Sequence, residues 1–286
     1  MNNIVEAKGL VKSYGSFRAL DGVDLSIPTG AITGLIGPNG AGKTTTLKAL
    51  IGLCDVEGEL NVAGRDPRES RHKLMEDVCF IADVGILPKW LKVSQVIDYV
   101  EAVHPKFHRT RAEKFLSTTE IPANKRIKEL SKGMVTQLHL ALVMAIDVKL
   151  LVLDEPTIGL DIIYRKEFYD RLLNEYYDDN CTIIISTHQV EEVETLLSQL
   201  LFICKGKIVL DTLMNDLPNT FTEVIVEPQN IEKANHLNPI HIRELLGKKC
   251  YTFESVARTE LEQLGECLTP TVADLFVAKM KETRHG

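Results

Sequence analysis

Apolar and polar residues alternate through the first thirty positions, in IVEAKGLVKSY and again in RALDGVDLSIP, with a glycine-containing turn between the two runs. That period of two predicts the strands of an antiparallel meander. AITGLIG is a short buried-strand candidate ending at a glycine-rich loop; TTTLKALIGL then opens a helix, and GELNVAGRDP returns as strand and turn. From about residue 70 to 148 the pattern is mostly helical, broken at Pro88, Pro105 and Pro122. The most apolar stretch, LHLALVMAIDVKLLVLDE, is interrupted by Asp147 and Lys149 and reads as a buried helix followed by a buried strand. KLLVLDEP and CTIIISTH are continuous apolar runs of strand length, joined through the amphipathic segment IIYRKEFYDRLLNEYY. Strand, helix, strand with fully apolar strands predicts a parallel sheet covered on both faces.

QVEEVETLLSQL reads as a further helix and LFICKGKIVLDT as a hairpin turning at Gly206. After about residue 215 the character changes: FTEVIVEP and KKCYTFES look like strands, helix-like segments follow, and Thr269-Pro270 has the form of a cap opening the last helix. The fold class is therefore α/β, with a mixed-sheet core and an antiparallel part in residues 1–215. A helical subdomain is expected at about 85–148 and a small α+β appendage at 216–286.

Composition narrows the function classes. The chain has 286 residues, 44% hydrophobic and 26% charged, an ordinary globular balance. No run approaches the ~20 apolar residues that span a bilayer, and MNNIVEAKGLVK lacks the apolar core of a secretory signal. A role at a membrane would need a partner subunit. The net charge of −7 argues against a general nucleic-acid binder. Six scattered cysteines with no C-x-x-C pair read as reduced thiols of a cytosolic protein.

The candidate chemistry sits in the glycine-rich loop. Gly37-Pro38-Asn39-Gly40-Ala41-Gly42-Lys43-Thr44 fits G-x-x-x-x-G-K-[ST], with Thr45 following. Backbone N–H groups can wrap a polyphosphate only where glycine lets the chain come close, and the helix N-terminus adds positive potential. Lys43 is placed to reach the β- and γ-phosphates, and the Thr44 hydroxyl to ligate Mg2+. Such a cradle needs an acidic residue at the end of a parallel strand, and Leu150-Leu151-Val152-Leu153-Asp154-Glu155 supplies it. Asp154 is the metal-side carboxylate; Glu155 projects to where an attacking water would sit.

With these residues in order, the chain resembles the ATP-binding cassette (ABC) ATPases from residue 4 to about 215. Leu130-Ser131-Lys132-Gly133-Met134 resembles the family signature, usually LSGGQ, and Gly159-Leu160-Asp161 its dimer-contact loop. His188 stands at the position of the switch histidine, and Tyr14, 29 residues before Lys43, at that of the aromatic that stacks on adenine. The resemblance implies an ATPase using ATP and Mg2+, with catalytic Glu155, His188 and Lys43. Ser131 and Gly133 would contact the γ-phosphate held by a second cassette, so a homodimer or a paired cassette subunit is implied. It further implies an integral membrane permease as partner, no nucleic acid, and a peripheral place on the cytoplasmic face of the membrane.

Two departures stand out. Lys132 and Met134 replace the usual glycine and glutamine, and Lys132 brings a positive charge that would strengthen the nucleotide sandwich. Asp83 stands where the family carries a metal-contacting glutamine, one methylene shorter but still an oxygen donor. Trp90 in ILPKWL is a candidate anchor for the permease, or a residue buried in its own subdomain. PTVADLFVAKMKE resembles the closing helix of exporter-type subunits. The alternative function is a non-transport ABC ATPase acting on a nucleic-acid or ribosomal partner.

Overall fold

A computed structural model of the chain describes residues 2–81, 87–177, 181–245 and 247–285. The alternating N-terminal runs form β1 (Asn3–Tyr14) and β2 (Phe17–Pro28), an antiparallel pair whose tight turn sets Tyr14 opposite Phe17. The chain continues through β3 (Ile32–Ile36), α1 (Lys43–Leu50), β4 (Glu57–Val62), α2 (Pro67–Leu74) and β5 (Val78–Ile81). Then come α3 (Val93–Val103), α4 (Arg109–Ser117), α5 (Lys132–Val143), β6 (Leu150–Asp154) and α6 (Ile162–Arg171). β7 (Thr182–Thr187), β8 (Gln199–Cys204) and β9 (Lys207–Leu213) complete the principal sheet.

That sheet has the order β5-β6-β7-β3-β8-β9, parallel except for β9 at its edge. The four central strands, β3, β6, β7 and β8, are buried along their whole length, and the pleat sends alternate residues to opposite faces. Leu35, Val152, Ile184, Leu201 and Ile203 face one core, shared with α1 and the antiparallel sheet β2-β1-β4. Ile36, Leu153, Ile185 and Phe202 face the other, shared with α5 and α6. A third cluster holds α3, α4 and α5 together through Val96, Ile97, Leu116 and Leu138. The mixed α/β architecture read from the patterning is thus the one observed.

Three local expectations are corrected. β5 lies inside the stretch expected to be mostly helical. Its four residues VCFI are too short a run to show a period, and only pairing with β6 makes them a strand. The helix expected over QVEEVETLLSQL is two single 3-10 turns, Val190–Glu192 and Glu194–Leu196, and Gln199 already belongs to β8. Here side-chain anchors override helical patterning: Glu192 bonds Thr157 and Arg165, and Glu194 bonds the backbone of Val272. The last helix is capped by Thr271, whose hydroxyl accepts the Asp274 N–H at 3.1 Å, rather than by Thr269.

Beyond a single turn α7 (Leu217–Thr220), the chain forms β10 (Phe221–Val226), α8 (Ile231–His236), β11 (His241–Leu245), β12 (Lys248–Glu254), α9 (Arg258–Leu261) and β13 (Gly265–Leu268). These β-α-β-β-α-β elements make an antiparallel sheet in the order β11-β12-β10-β13, a split β-α-β unit with its own core around Val224, Tyr251 and Phe253. The closing helix α10 (Val272–His285) lies between the two sheets. Val272 and Leu275 enter the core of the principal sheet, and Phe276 meets Phe202 edge-on at 5.2 Å. Facing the smaller sheet, Asp274 pairs with Arg243 at 3.3 Å and Lys279 with Glu254 at 2.7 Å.

Candidate functional site

β3 delivers the chain to the glycine-rich loop at the middle of the principal sheet. A side chain at Gly37 would put Cβ 2.4 Å from the carbonyl oxygen of Ile203, and Gly42 precedes α1 with φ of 115°. Packing within the chain therefore requires glycine at both positions. Lys43 is buried, its ammonium donating to the carbonyls of Gly37 at 2.7 Å and Pro38 at 3.4 Å and lying 3.5 Å from Glu155 Oε1. A cleft of about 230 Å3 opens beside the loop; Tyr14, Phe17, Asn39, Lys43, Thr44 and Glu155 are among its lining. Tyr14 and Phe17 are each more than half exposed, and the Lys12 ammonium stands 5.4 Å from the Tyr14 ring centre.

Register brings the acids to the same place. Ile36 pairs with Thr187 and Asp154 with Ser186, so Gly37, Glu155 and His188 leave three adjacent parallel strands at one level. Asp154 is buried and accepts a hydrogen bond from the Ser186 hydroxyl. The Glu155 N–H donates to both the carbonyl and the hydroxyl oxygen of Ser186, each at 3.1 Å. Glu155 adopts φ of 49°, a left-handed backbone that a non-glycine residue holds only where neighbours fix it. Its carboxylate oxygens lie 2.9 and 3.1 Å from His188 Nδ1.

The donors suit magnesium and a polyphosphate. The Thr44 hydroxyl at the cleft and the buried Asp154 carboxylate offer hard oxygen donors, the kind Mg2+ combines with phosphate oxygens and water. Among the described residues no group of three or more His, Cys, Asp or Glu could hold a metal alone. The loop glycines leave the backbone bare where the phosphates would lie.

The other sequence-predicted residues are elsewhere. Ser131 caps α5, its hydroxyl accepting the Met134 N–H at 3.2 Å, and Asp161 caps α6 through the N–H groups of Ile163 and Tyr164. Neither lines the cleft with Lys43, and nor does Gly133. The Lys132 ammonium lies against Gly159 of the same chain, 2.8 Å from where a Cβ would stand, so it joins the start of α5 to the loop before α6. Asp83 lies outside the described residues. Trp90 is 69% exposed, which excludes burial in its own subdomain.

The sequence model of the family described as "ABC transporter" matches residues 20–158. The daunorubicin resistance ATP-binding protein DrrA2 of Streptomyces coeruleorubidus is 32% identical over 231 residues, covering 75% of this chain and 68% of its own. The chain belongs to the ABC transporter ATP-binding family. The probable multidrug ABC transporter ATP-binding protein YbhF of Escherichia coli (strain K12) is 33% identical over 220 residues, 75% of this chain but 38% of that longer protein. In fold, the cassette is similar to a solved ATP-binding subunit of an ABC transporter, with a TM-score of 0.68 and 22% identity over 76% of this chain and 92% of the other.

Sequence reasoning missed three contributors to the cassette's site. Phe17 was legible in principle, because a two-residue turn after Tyr14 places the next residue directly across the hairpin. Ser186, which holds both Asp154 and the Glu155 backbone, reads in the sequence only as part of an apolar strand. Arg165 on α6 was invisible, since its partners Gln189 and Glu192 lie in a separate segment.

Proposed function

We propose that the chain binds MgATP in the cleft beside the glycine-rich loop and hydrolyses it as one of two cassettes that close around two nucleotides and drive a separate membrane subunit, in the direction of export. The observation that carries this reading is the meeting of Lys43, Glu155 and His188 at one end of three adjacent parallel strands, beneath the exposed pair Tyr14 and Phe17. Tyr14 offers a ring face for the base. The N–H groups from Asn39 to Thr45 surround the phosphates, and Lys43 exchanges the Gly37 and Pro38 carbonyls for phosphate oxygens. Thr44 and Asp154 would hold Mg2+, which when bound neutralises phosphate charge. Glu155 orients the attacking water and draws its proton, while His188, hydrogen-bonded to Glu155, holds the γ-phosphate.

Support for a paired cassette comes from Gly133. Among the described residues, the atom that a Cβ at Gly133 would meet outside its own helix backbone is Ser131 Oγ at 4.0 Å, so packing among them does not demand glycine. A phosphate arriving from a second copy does. Exposed Trp90, between Lys89 and Lys92, is proposed as the contact for the membrane subunit, and a peripheral position on the cytoplasmic face of the membrane belongs to the same proposal. Export is supported by relatives named for multidrug transport and daunorubicin resistance. Residues 1–215 are assigned as the cassette, with its helical subdomain at about 85–148, and 216–286 as an accessory domain.

The test is purification of the tagged Glu155→Gln protein from gently solubilised membranes with ATP present. A multi-span membrane protein in stoichiometric amount, together with an ATP-dependent dimer of the isolated chain, is the expected result. A chain that stays monomeric in saturating MgATP, or that brings down ribosomes or nucleic acid instead, would overturn the proposal.

A further inference from the structure

The loop Glu155–Asp161 and the segment His188–Glu192 leave the ends of neighbouring strands and touch at two places. One is the contact of Glu155 with His188 at the cleft. The second lies further out and is built around Arg165, in the first turn of α6. Its Nε donates to the carbonyl of Leu160 at 2.7 Å, and Nη1 donates to Gln189 Oε1 at 2.7 Å and to the Glu192 carboxylate. The other Glu192 oxygen accepts from the Thr157 hydroxyl at 3.3 Å. About three-quarters of each of the Arg165 and Glu192 side chains is covered, so water screens the pair far less than a surface ion pair. The guanidinium reaches the carbonyl, the amide and the carboxylate from separate nitrogens in a fixed planar fork, whereas an ammonium would have to meet all three from a single point.

We infer that Arg165 is a positioning residue that couples His188 to the Asp161 loop: through Gln189 and Glu192 it fixes the segment carrying His188 to the loop that carries Asp161. The inference rests on the ATPase reading of the cleft proposed above. With both ends fastened, a displacement of His188 moves the Gly159–Asp161 loop with it instead of being absorbed between them. Lys132, lying against Gly159, continues the connection to the start of α5. Arg165, Gln189 and Glu192 do not line the nucleotide cleft, so their loss touches turnover and spares binding.

The experiment uses the full chain and measures, for each variant, the affinity for a fluorescent ATP analogue with Mg2+, the steady-state kcat and the thermal midpoint. Arg165→Ala and Glu192→Gln are each expected to lower kcat by about tenfold with affinity within about twofold of wild type. The double variant is expected to lose no more than the worse single one, because both remove one clamp. Arg165→Lys, which keeps a charge for Glu192 but not the fork, is expected to fall between wild type and Arg165→Ala. Should Arg165→Ala not fold, Gln189→Leu removes one prong and is expected to lower kcat about threefold at unchanged affinity. A kcat within twofold of wild type in both Arg165→Ala and Glu192→Gln, or a kcat that falls in step with affinity and thermal midpoint, would overturn the inference. Turnover that needs Glu155 but not Arg165 sinks the clamp alone; turnover indifferent to Glu155→Gln sinks the ATPase reading beneath it.

Discussion

The acid that enters β5 and the acid that leaves its neighbour β6 carry charge in opposite ways. At the end away from the cleft, Asp77 accepts from Lys106 at 2.7 Å, Arg65 at 3.1 Å and Lys149 at 3.2 Å. Hydrogen bonds from these three cations, Lys106 foremost, hold the Asp77 carboxyl down at about 2. At the cleft end, Glu155 shares one lysine at 3.5 Å and one half-exposed histidine, on a backbone of positive φ. A carboxylate saturated with cations is finished and holds elements together. One with a single distant lysine, a titratable neighbour and an open side is still available for chemistry.

Three substitutions sharpen that contrast. The largest effect is expected from Glu155→Gln, which should lower ATP turnover by roughly 10²–10⁴ with no loss of thermal stability, read by coupled phosphate release beside a thermal melt. Turnover within a few-fold of wild type would remove Glu155 from the chemistry. Asp77→Asn should do the reverse, costing on the order of 1–2 kcal/mol at neutral pH while leaving turnover per folded molecule unchanged. Because the folded carboxyl titrates at about 2, below its ordinary 3.8, its contribution is whole above about pH 4 and fades as pH falls toward 2. The gap between wild type and Asp77→Asn should therefore close over that interval; denaturant melts showing a constant gap would refute it. The smallest effect is expected from Glu155→Gly, which relieves the positive φ and should stabilise the fold by about 0.5–1 kcal/mol in an inactive protein. No gain over Glu155→Gln in the same melts would mean the backbone there is unstrained.

What the sequence made legible was local. The glycine loop, the apolar strand ending in Asp154 and the hairpin at Gly206 each announce themselves within about ten residues, because backbone geometry or strand burial dictates their composition. β5 did not, since four apolar residues take their identity from β6, which follows about 70 residues later in the chain. The turns at Val190 and Glu194 did not either: three acids among apolar residues suit a helix until Arg165, Thr157 and the backbone of Val272 claim two of them. Within the site, residues that would touch the nucleotide were readable, and those that hold them in place, Ser186 and Arg165, were not. Supporting residues answer to neighbours distant in sequence.

The position of α10 has a consequence for how the chain is made. Phe202 and Leu200 belong to β8, yet Val272, Leu275 and Phe276 that cover them belong to a helix translated only after the whole smaller sheet. A ribosome that has just released β9 therefore presents a nearly finished cassette with one greasy wall uncovered. The nascent protein passes through that stage every time, so its yield in cells should hinge on chaperones that bind apolar surface during the interval between Leu213 and Val272.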